Sequence, residues 1–134
     1  MITVQQLLDA KPDRVMTIAE NASVQDALEL MARHKISALP VINGVLLTGI
    51  VSERDYIRKA VPKRVAPWDV MVRDIMTREV ISVSRSDPIS ACMDLMCTNH
   101  IRHLPVMHAE QLIGMLSITD VLRALRGGAG IDNN

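Results

Sequence analysis

The stretch Gly49-Ile50-Val51-Ser52-Glu53-Arg54-Asp55 returns sixty-five positions later as Gly114-Met115-Leu116-Ser117-Ile118-Thr119-Asp120. Carried outward without a gap, the same register pairs Val15 with Val80, Leu30-Met31 with Leu95-Met96, Ile36 with Ile101, Leu39-Pro40-Val41 with Leu104-Pro105-Val106, Leu47 with Leu112 and Arg58 with Arg123. The chain is one unit written twice. Each copy reads as an apolar strand ending at a Gly and a Ser, followed by a helix that carries an Asp in its first turn.

That arrangement suits an anionic or hydroxyl-rich ligand. The first amides of a helix have no intrahelical acceptor, and the helix dipole adds partial positive charge there, so phosphate is favoured. A serine hydroxyl can bind phosphate or cap the helix. An ionised Asp one turn in only accepts, and can take both hydroxyl protons of a ribose, each charge-assisted bond contributing about 1.5–3 kcal/mol at most. The glycine is expected to let a ligand approach the backbone. Ser-x-x-Asp is also close to a capping box, which needs no ligand, and Ser23-x-x-Asp26 is read as such a case. The shared glycine, the preceding apolar strand and the recurrence in both copies favour a ligand site at Ser52/Asp55 and Ser117/Asp120.

Each half of the 134 residues is marginal as an independent domain, so the halves are expected to share a core. Fifteen Lys and Arg balance fifteen Asp and Glu, which argues against nucleic acid or membrane as a partner. A local basic run at Arg54, Arg58, Lys59, Lys63 and Arg64 reads equally as a solvated face or as a phosphate-facing patch. Phe is absent and Trp68 and Tyr56 are the only aromatics, so base stacking has almost no material, and the core must be aliphatic with nine Met as adaptable filler. Cys92 and Cys97 fall on different faces of one helix and point to reduced thiols in a cytosolic protein. No signal peptide or long apolar run is visible.

Along the chain, Val4 to Ala10 reads as a short helix stopped at Lys11-Pro12 and packed on the repeat that follows. Val15 to Ile18 reads as a strand, and Ser23 caps a helix from Val24 to His34 with Ala27, Leu28 and Met31 inward. Strands Leu39–Ile42 and Leu46–Val51 join at Asn43-Gly44, before a closing helix that carries Tyr56 and Ile57. Val61 to Pro67 is the linker. Trp68 to Met76 reads as a helix with Trp68, Met71, Val72 and Ile75 at helical spacing. Strand Val80–Val83 follows, then helix Ile89 to about Thr98 with Asp87 as cap and Pro88 in its first turn. Strands Leu104–Met107 and Leu112–Leu116 and a helix from Ile118 to about Leu125 complete the second copy. Residues 127–134, beginning Gly127-Gly128-Ala129-Gly130, are expected to be disordered. The expected segmentation is therefore 1–66 for the first repeat with its helix and linker, and 67–126 for the second.

The pattern His-x-Ile-x-x-Leu-Pro-Val, the Gly-x-x-Ser-x-x-Asp motif, the lead-ins Arg73-Asp74-Ile75-Met76-Thr77 and Val80-Ile81-Ser82-Val83, and the two-copy layout resemble the CBS domain. The pair resembles a Bateman module, over about residues 1 to 126. The resemblance implies an α/β (α+β) fold: two strand-helix-strand-strand-helix repeats about a pseudo-twofold axis, with small sheets flanked by helices. It implies a regulatory module for adenosine-containing ligands such as AMP, ADP, ATP, NAD or S-adenosylmethionine, often as a flat homodimer of pairs. Such a module is not an enzyme. It has no obligatory cofactor beyond the adenine nucleotide as regulatory ligand, and it presents its ligand state to an unidentified protein partner.

In such modules each cleft combines the Ser and Asp of one repeat with the first strand and neighbouring loop of the other. The resemblance then assigns Ser52, Arg54, Asp55, Thr77, Val80, Ile81, Arg102 and His103 to one cleft, and Lys11, Val15, Met16, Ser117, Thr119 and Asp120 to the other. Arg102 and His103 stand where the first repeat has Ser37 and Ala38. The Asp55 cleft is therefore expected to bind a phosphorylated adenosine more tightly, and the Asp120 cleft to bind weakly or to prefer a less charged adenosyl group.

Other readings compete. No Ser-His-Asp order, P-loop or Gly-x-Gly-x-x-Gly fingerprint supports an enzyme. Cys97, His100 and His103 at three-residue intervals suggest a metal site only if His108 folds back as the fourth ligand; as polar residues at a helix end they need no metal. A dimerising scaffold, with both Ser-x-x-Asp motifs acting only as caps, is the main alternative.

Overall fold

A computed structural model describes residues 1–11 and 15–127; the predictions for the chain beyond Gly127 lie outside the described residues. The chain divides into two compact units that do not follow its linear order. One is Met16–Val80, and the other joins Met1–Val15 to the chain from Ile81 onward. They are named here by the repeat whose sheet they contain.

The repeat-one unit holds β1 (Ile18–Ala19), α2 (Val24–His34), β2 (Ala38–Asn43), β3 (Leu46–Ser52), α3 (Glu53–Lys59) and α4 (Val72–Ile75). β1 runs parallel to β2 and β2 antiparallel to β3, giving the order β1-β2-β3. The repeat-two unit holds α1 (Val4–Ala10), β4 (Val83–Ser84), α5 (Ile89–Asn99), β5 (His103–His108), β6 (Gln111–Ser117) and α6 (Ile118–Leu125), with its sheet in the matching order β4-β5-β6. The fold is thus two small mixed three-stranded sheets flanked by helices, as the repeat implies.

The helix before each repeat does not pack where sequence order suggests. Val4 and Leu7 of α1 are buried with Val83, Ile89, Leu104 and Val121 of the repeat-two unit, which corrects the expectation that α1 packs on the repeat that follows it. Val72 and Ile75 of α4 lie in the repeat-one core with Val24, Met31, Leu39 and Val51. The main chain explains this placement. The Val4 and Gln5 amides donate to Asp87 and Arg85 carbonyls at 2.8 and 2.9 Å, and the Ile89 amide donates back to Ile2 at 2.9 Å. In the repeat-one unit, Val72 and Arg73 donate to Ala22 and Glu20, and Val24 donates to Val70, each at 2.9 Å. First-turn amides of two helices, which have no intrahelical acceptor, are satisfied against each other's approach segments.

Both motif glycines answer to this packing. A Cβ on Gly49 meets Met76 Sδ and the Thr77 carbonyl at 2.8 Å, and one on Gly114 meets Leu8 Cδ2 at 2.6 Å. The close approach at these glycines is made by the chain itself, which corrects the expectation of a ligand there. Each also sits at a register shift, after Val41 and after Val106.

Other boundaries moved for local reasons. The expected strands Val15–Ile18 and Val80–Val83 keep only their last residues, Ile18 and Val83, which with Ala19 and Ser84 form the two-residue β1 and β4 that pair with β2 and β5. The expected helix from Trp68 breaks into a 3₁₀ turn, Pro67–Asp69, and α4. Met71 between them is extended and bridges Ser23, and its amide donates to Asp74 at 3.1 Å, leaving Trp68 68 % exposed. Asp87 does not cap α5: its carboxylate accepts the Ser84 amide at 2.8 Å, and Pro88 is the extended residue before the helix. Cys92 is buried and Cys97 exposed, as helical spacing requires, and burial, helped by Asp87, pushes the Cys92 thiol up to about 11.

Two consequences are measurable. Gly49→Ala confronts a backbone carbonyl and is expected to cost about 1–3 kcal/mol, whereas Gly114→Ala meets the movable end of Leu8 and costs less. Urea unfolding of both variants checks the order. A disulfide reagent should label one thiol in the native chain and two after denaturation.

Candidate functional site

The geometry common to both units is a strand running straight into a helix, so that the Ser of the motif is the last strand residue and the helix cap at once. Ser52 ends β3, and its hydroxyl accepts the Asp55 amide at 3.1 Å. Asp55 Oδ2 returns to the Ser52 amide at 2.8 Å and the Ser52 hydroxyl at 3.1 Å. The sequence reading of a capping box is therefore realised. Lys59, one turn further along α3, brings Nζ to 3.2 Å from Asp55 Oδ1 and donates to the Ile75 carbonyl at 2.8 Å. The Asp55 side chain is 14 % exposed and that of Lys59 44 %. Beside them the Thr77 amide donates to the Ile50 carbonyl at 2.8 Å, and Ile50 donates back at 3.0 Å.

The second junction repeats the cap but not the counter-ion. Ser117 ends β6; its hydroxyl accepts the Asp120 amide at 3.1 Å, and Asp120 Oδ2 accepts the Ser117 amide at 2.8 Å. The position matching Lys59 is Ala124, which is buried. The cation comes instead from the end of α1: Lys11 Nζ donates to Asp120 Oδ2 at 2.8 Å and to the Met115 carbonyl at 2.9 Å. Met115 is the counterpart of Ile50, so an ammonium bonds the carbonyl that a backbone amide bonds in the other unit. The Lys11 side chain is 31 % exposed and that of Asp120 16 %.

The electrostatics follow from these contacts. Burial alone raises the Asp120 carboxyl, but the Lys11 ammonium and the Ser117 amide and hydroxyl outweigh it and hold the group below its ordinary value. His103 pairs with Ser117 across β5 and β6. Burial first and Arg102 next push its pKa down, and Asp120 opposes them.

The remaining predicted residues divide between the units. Ser52, Arg54, Asp55, Thr77, Val80 and Met16 belong to the repeat-one unit; Lys11, Val15, Ile81, Arg102, His103, Ser117, Thr119 and Asp120 belong to the repeat-two unit. The structure brings Ser52, Asp55 and Thr77 to one junction, and Lys11, His103, Ser117 and Asp120 to the other. Arg54, Arg102 and Thr119 are exposed, and the Arg102 carbonyl accepts the first amide of α6 at 2.8 Å. Met16 packs on the repeat-one core and Ile81 on the repeat-two core. Lys59 was absent from the predicted set, although its spacing of four from Asp55 on a helix was a readable signal. Among the described residues, no group of three or more His, Cys, Asp or Glu side chains is placed to hold a metal ion.

Comparison with known proteins agrees with this architecture. The CBS domain profile matches residues 2–61 and 72–127, and the chain belongs to the CBS domain family as a pair of such domains. A CBS-domain protein of Burkholderia ambifaria MC40-6 assigned to signal transduction is 41% identical and superposes with a TM-score of 0.91, over 94% of this chain and 95% of that one. The mitochondrial CBS domain-containing protein CBSX3 of Arabidopsis thaliana is 40% identical over 108 residues, 77% of this chain. The match spans about half (52%) of that relative's own length. The CBS domain pair of protein MJ0100, solved with 5-methylthioadenosine and S-adenosyl-L-methionine, is 25% identical with a TM-score of 0.82, over 95% of this chain and 98% of that one.

The pKa directions set a pH dependence. Asp120 is depressed in the folded chain, so its contribution is present above the ordinary carboxylate range and is lost as pH falls through the folded value. His103 is also depressed, so an unfolded chain takes up a proton that the folded one resists, and stability declines as pH falls below about 6.5. Unfolding free energies measured from pH 3 to 8 should show both slopes. Asp120→Asn should remove the acid one and His103→Gln the neutral one.

Proposed function

We propose that this CBS pair is a regulatory module that binds adenosine-containing ligands, AMP, ADP, ATP, NAD or S-adenosylmethionine, at the Ser52/Asp55 and Ser117/Asp120 junctions and relays occupancy to a protein partner. The observation that carries the reading is the lysine on each motif carboxylate. A helix cap needs a hydroxyl and an acid only. Here an ammonium lies against each acid, from the same helix at Asp55 and from the end of α1 at Asp120, so hydroxyl acceptor and anion partner stand side by side, the pair of functions a nucleotide requires. The adenosyl ligands of the MJ0100 pair belong to the same chemical class. The module acts through binding and not through catalysis.

A homodimer fits the surface. Ile57 on α3 and Leu122 on α6, which match across the repeat, are 60 % and 45 % exposed, with Val61 and Leu125 close by in sequence. Ligand occupancy then biases the arrangement of protomers, provided the ligand binds one arrangement better.

Thermal unfolding against the adenosyl panel, with guanosine nucleotides as controls, tests the reading. A ligand at about 100 times its Kd adds roughly 2.7 kcal/mol, a shift of several degrees for a chain of this size. The shift should be selective for adenosyl compounds and should diminish in Asp55→Ala and in Asp120→Ala. A chain indifferent to the whole panel is a scaffold whose motifs are caps. For the dimer, Ile57→Glu with Leu122→Glu should lower the sedimentation mass at micromolar concentration.

A further inference from the structure

We infer that Lys11 is the specificity-determining residue of the Ser117/Asp120 junction, and that it selects anionic adenosyl ligands over uncharged ones. The inference rests on the proposal that this junction binds adenosyl compounds. It reverses the sequence expectation of a less charged ligand there, which counted Arg102 and His103 toward the other cleft and treated Lys11 as one residue in a set.

The geometry supplies the argument. Lys11 Nζ, the Ser117 amide and the Met115 carbonyl converge on one side of the junction, with Asp120 Oδ2 accepting from both donors. The Lys11 and Ser117 bonds both fall on Asp120 Oδ2. A ribose diol that takes both oxygens of the carboxylate therefore competes with Lys11 for Oδ2. An uncharged nucleoside that wins this competition leaves a part-buried ammonium with a carbonyl alone, and a charge deprived of its partner is costly. A ligand carrying a phosphate beside the diol gives the displaced ammonium a new partner. Lys11 can follow it, because the side chain is a flexible stem bearing a compact charge and not a fixed fork.

The repeat-one junction lacks this coupling. Lys59 is more exposed than Lys11, water compensates it when it leaves Asp55, and the Ile50 carbonyl is held by the Thr77 amide whether or not the lysine moves. At the repeat-two junction, ligand charge and diol binding are linked through one side chain. At position 12, where the other copy has Thr77, the sequence has Pro, which has no amide hydrogen to give the Met115 carbonyl.

Calorimetry with AMP and adenosine, in an Asp55→Ala background that leaves the repeat-two junction intact, decides the matter. The expected result is a preference for AMP of about tenfold or more, the scale of one charge-assisted contact. Lys11→Met should erase the preference by strengthening adenosine and weakening AMP, and Lys11→Arg should keep most of it. Unchanged circular dichroism of the variants verifies folding. An AMP-to-adenosine ratio that Lys11→Met leaves unaltered overturns the inference while the proposed function stands, as does binding seen only when Asp55 is intact. Absence of binding by the chain with both aspartates present overturns the two together.

Discussion

The structure depends on the reciprocal capping of two helix starts within each unit. In the repeat-two unit, Val4 and Gln5 donate to the segment before α5, while Ile89 donates to the segment before α1; Val72, Arg73 and Val24 make the same set in the repeat-one unit. Leaving such an amide buried without a partner costs about 1–3 kcal/mol, so these bonds fix where each lead-in helix lies before any side chain is considered. Val4 and Leu7, or Val72 and Ile75, then close the open face of the sheet. The glycines, the strand-to-helix junctions and the position of Lys11 all follow from that placement.

Because the lead-in helices differ in length, the two junctions differ in chemistry. α4 stops at Ile75, and its chain continues as extended backbone that bridges Ile50 through Thr77. α1 runs to Ala10, a further turn, and delivers a side chain to Met115 where the other delivers an amide. One added turn is enough to exchange a main-chain bond for a mobile charge. Duplicated sequence thus yields two sites with the same cap and different counter-ions, one local in sequence and one not.

That distinction governs what could be read from the residues. α1, α2 and α6 were legible to their ends, because Lys11-Pro12 stops the first and Ser23 and Ser117 stand before apolar residues at helical spacing in the others. Asp55 and Lys59 were legible as a helical pair. Lys11 and Asp120 are separated by 109 positions, and no periodicity connects them. The extents of β1 and β4 were misjudged for a related reason: apolar runs mark what can be buried, but a parallel strand extends only as far as it stays paired with a partner distant in sequence. Trp68 and Met71 show the converse. Their spacing is helical, yet Pro67 and the bridge from Met71 to Ser23 set the backbone, and both side chains stay exposed. Family resemblance grouped Lys11 with Asp120 but left Lys59 out and set His103 beside Asp55, whereas in the fold Lys59 lies against Asp55 and His103 pairs with Ser117.

The split of the repeat-two unit on either side of the repeat-one unit also bears on synthesis. α1 leaves the ribosome before the repeat-one unit, but the β4, α5, β5, β6 and α6 residues that bury Val4 and Leu7 are made only after Met16–Val80 is complete. At about 5–20 residues per second this leaves an amphipathic segment unpartnered for several seconds. During that interval the repeat-one unit has its own lead-in, α4, already attached and can close without α1. Vectorial synthesis therefore completes two units that are alike in a fixed order: the uninterrupted one is made whole first, and the other waits for its C-terminal half. Mutations in α1 should then act chiefly on the late step.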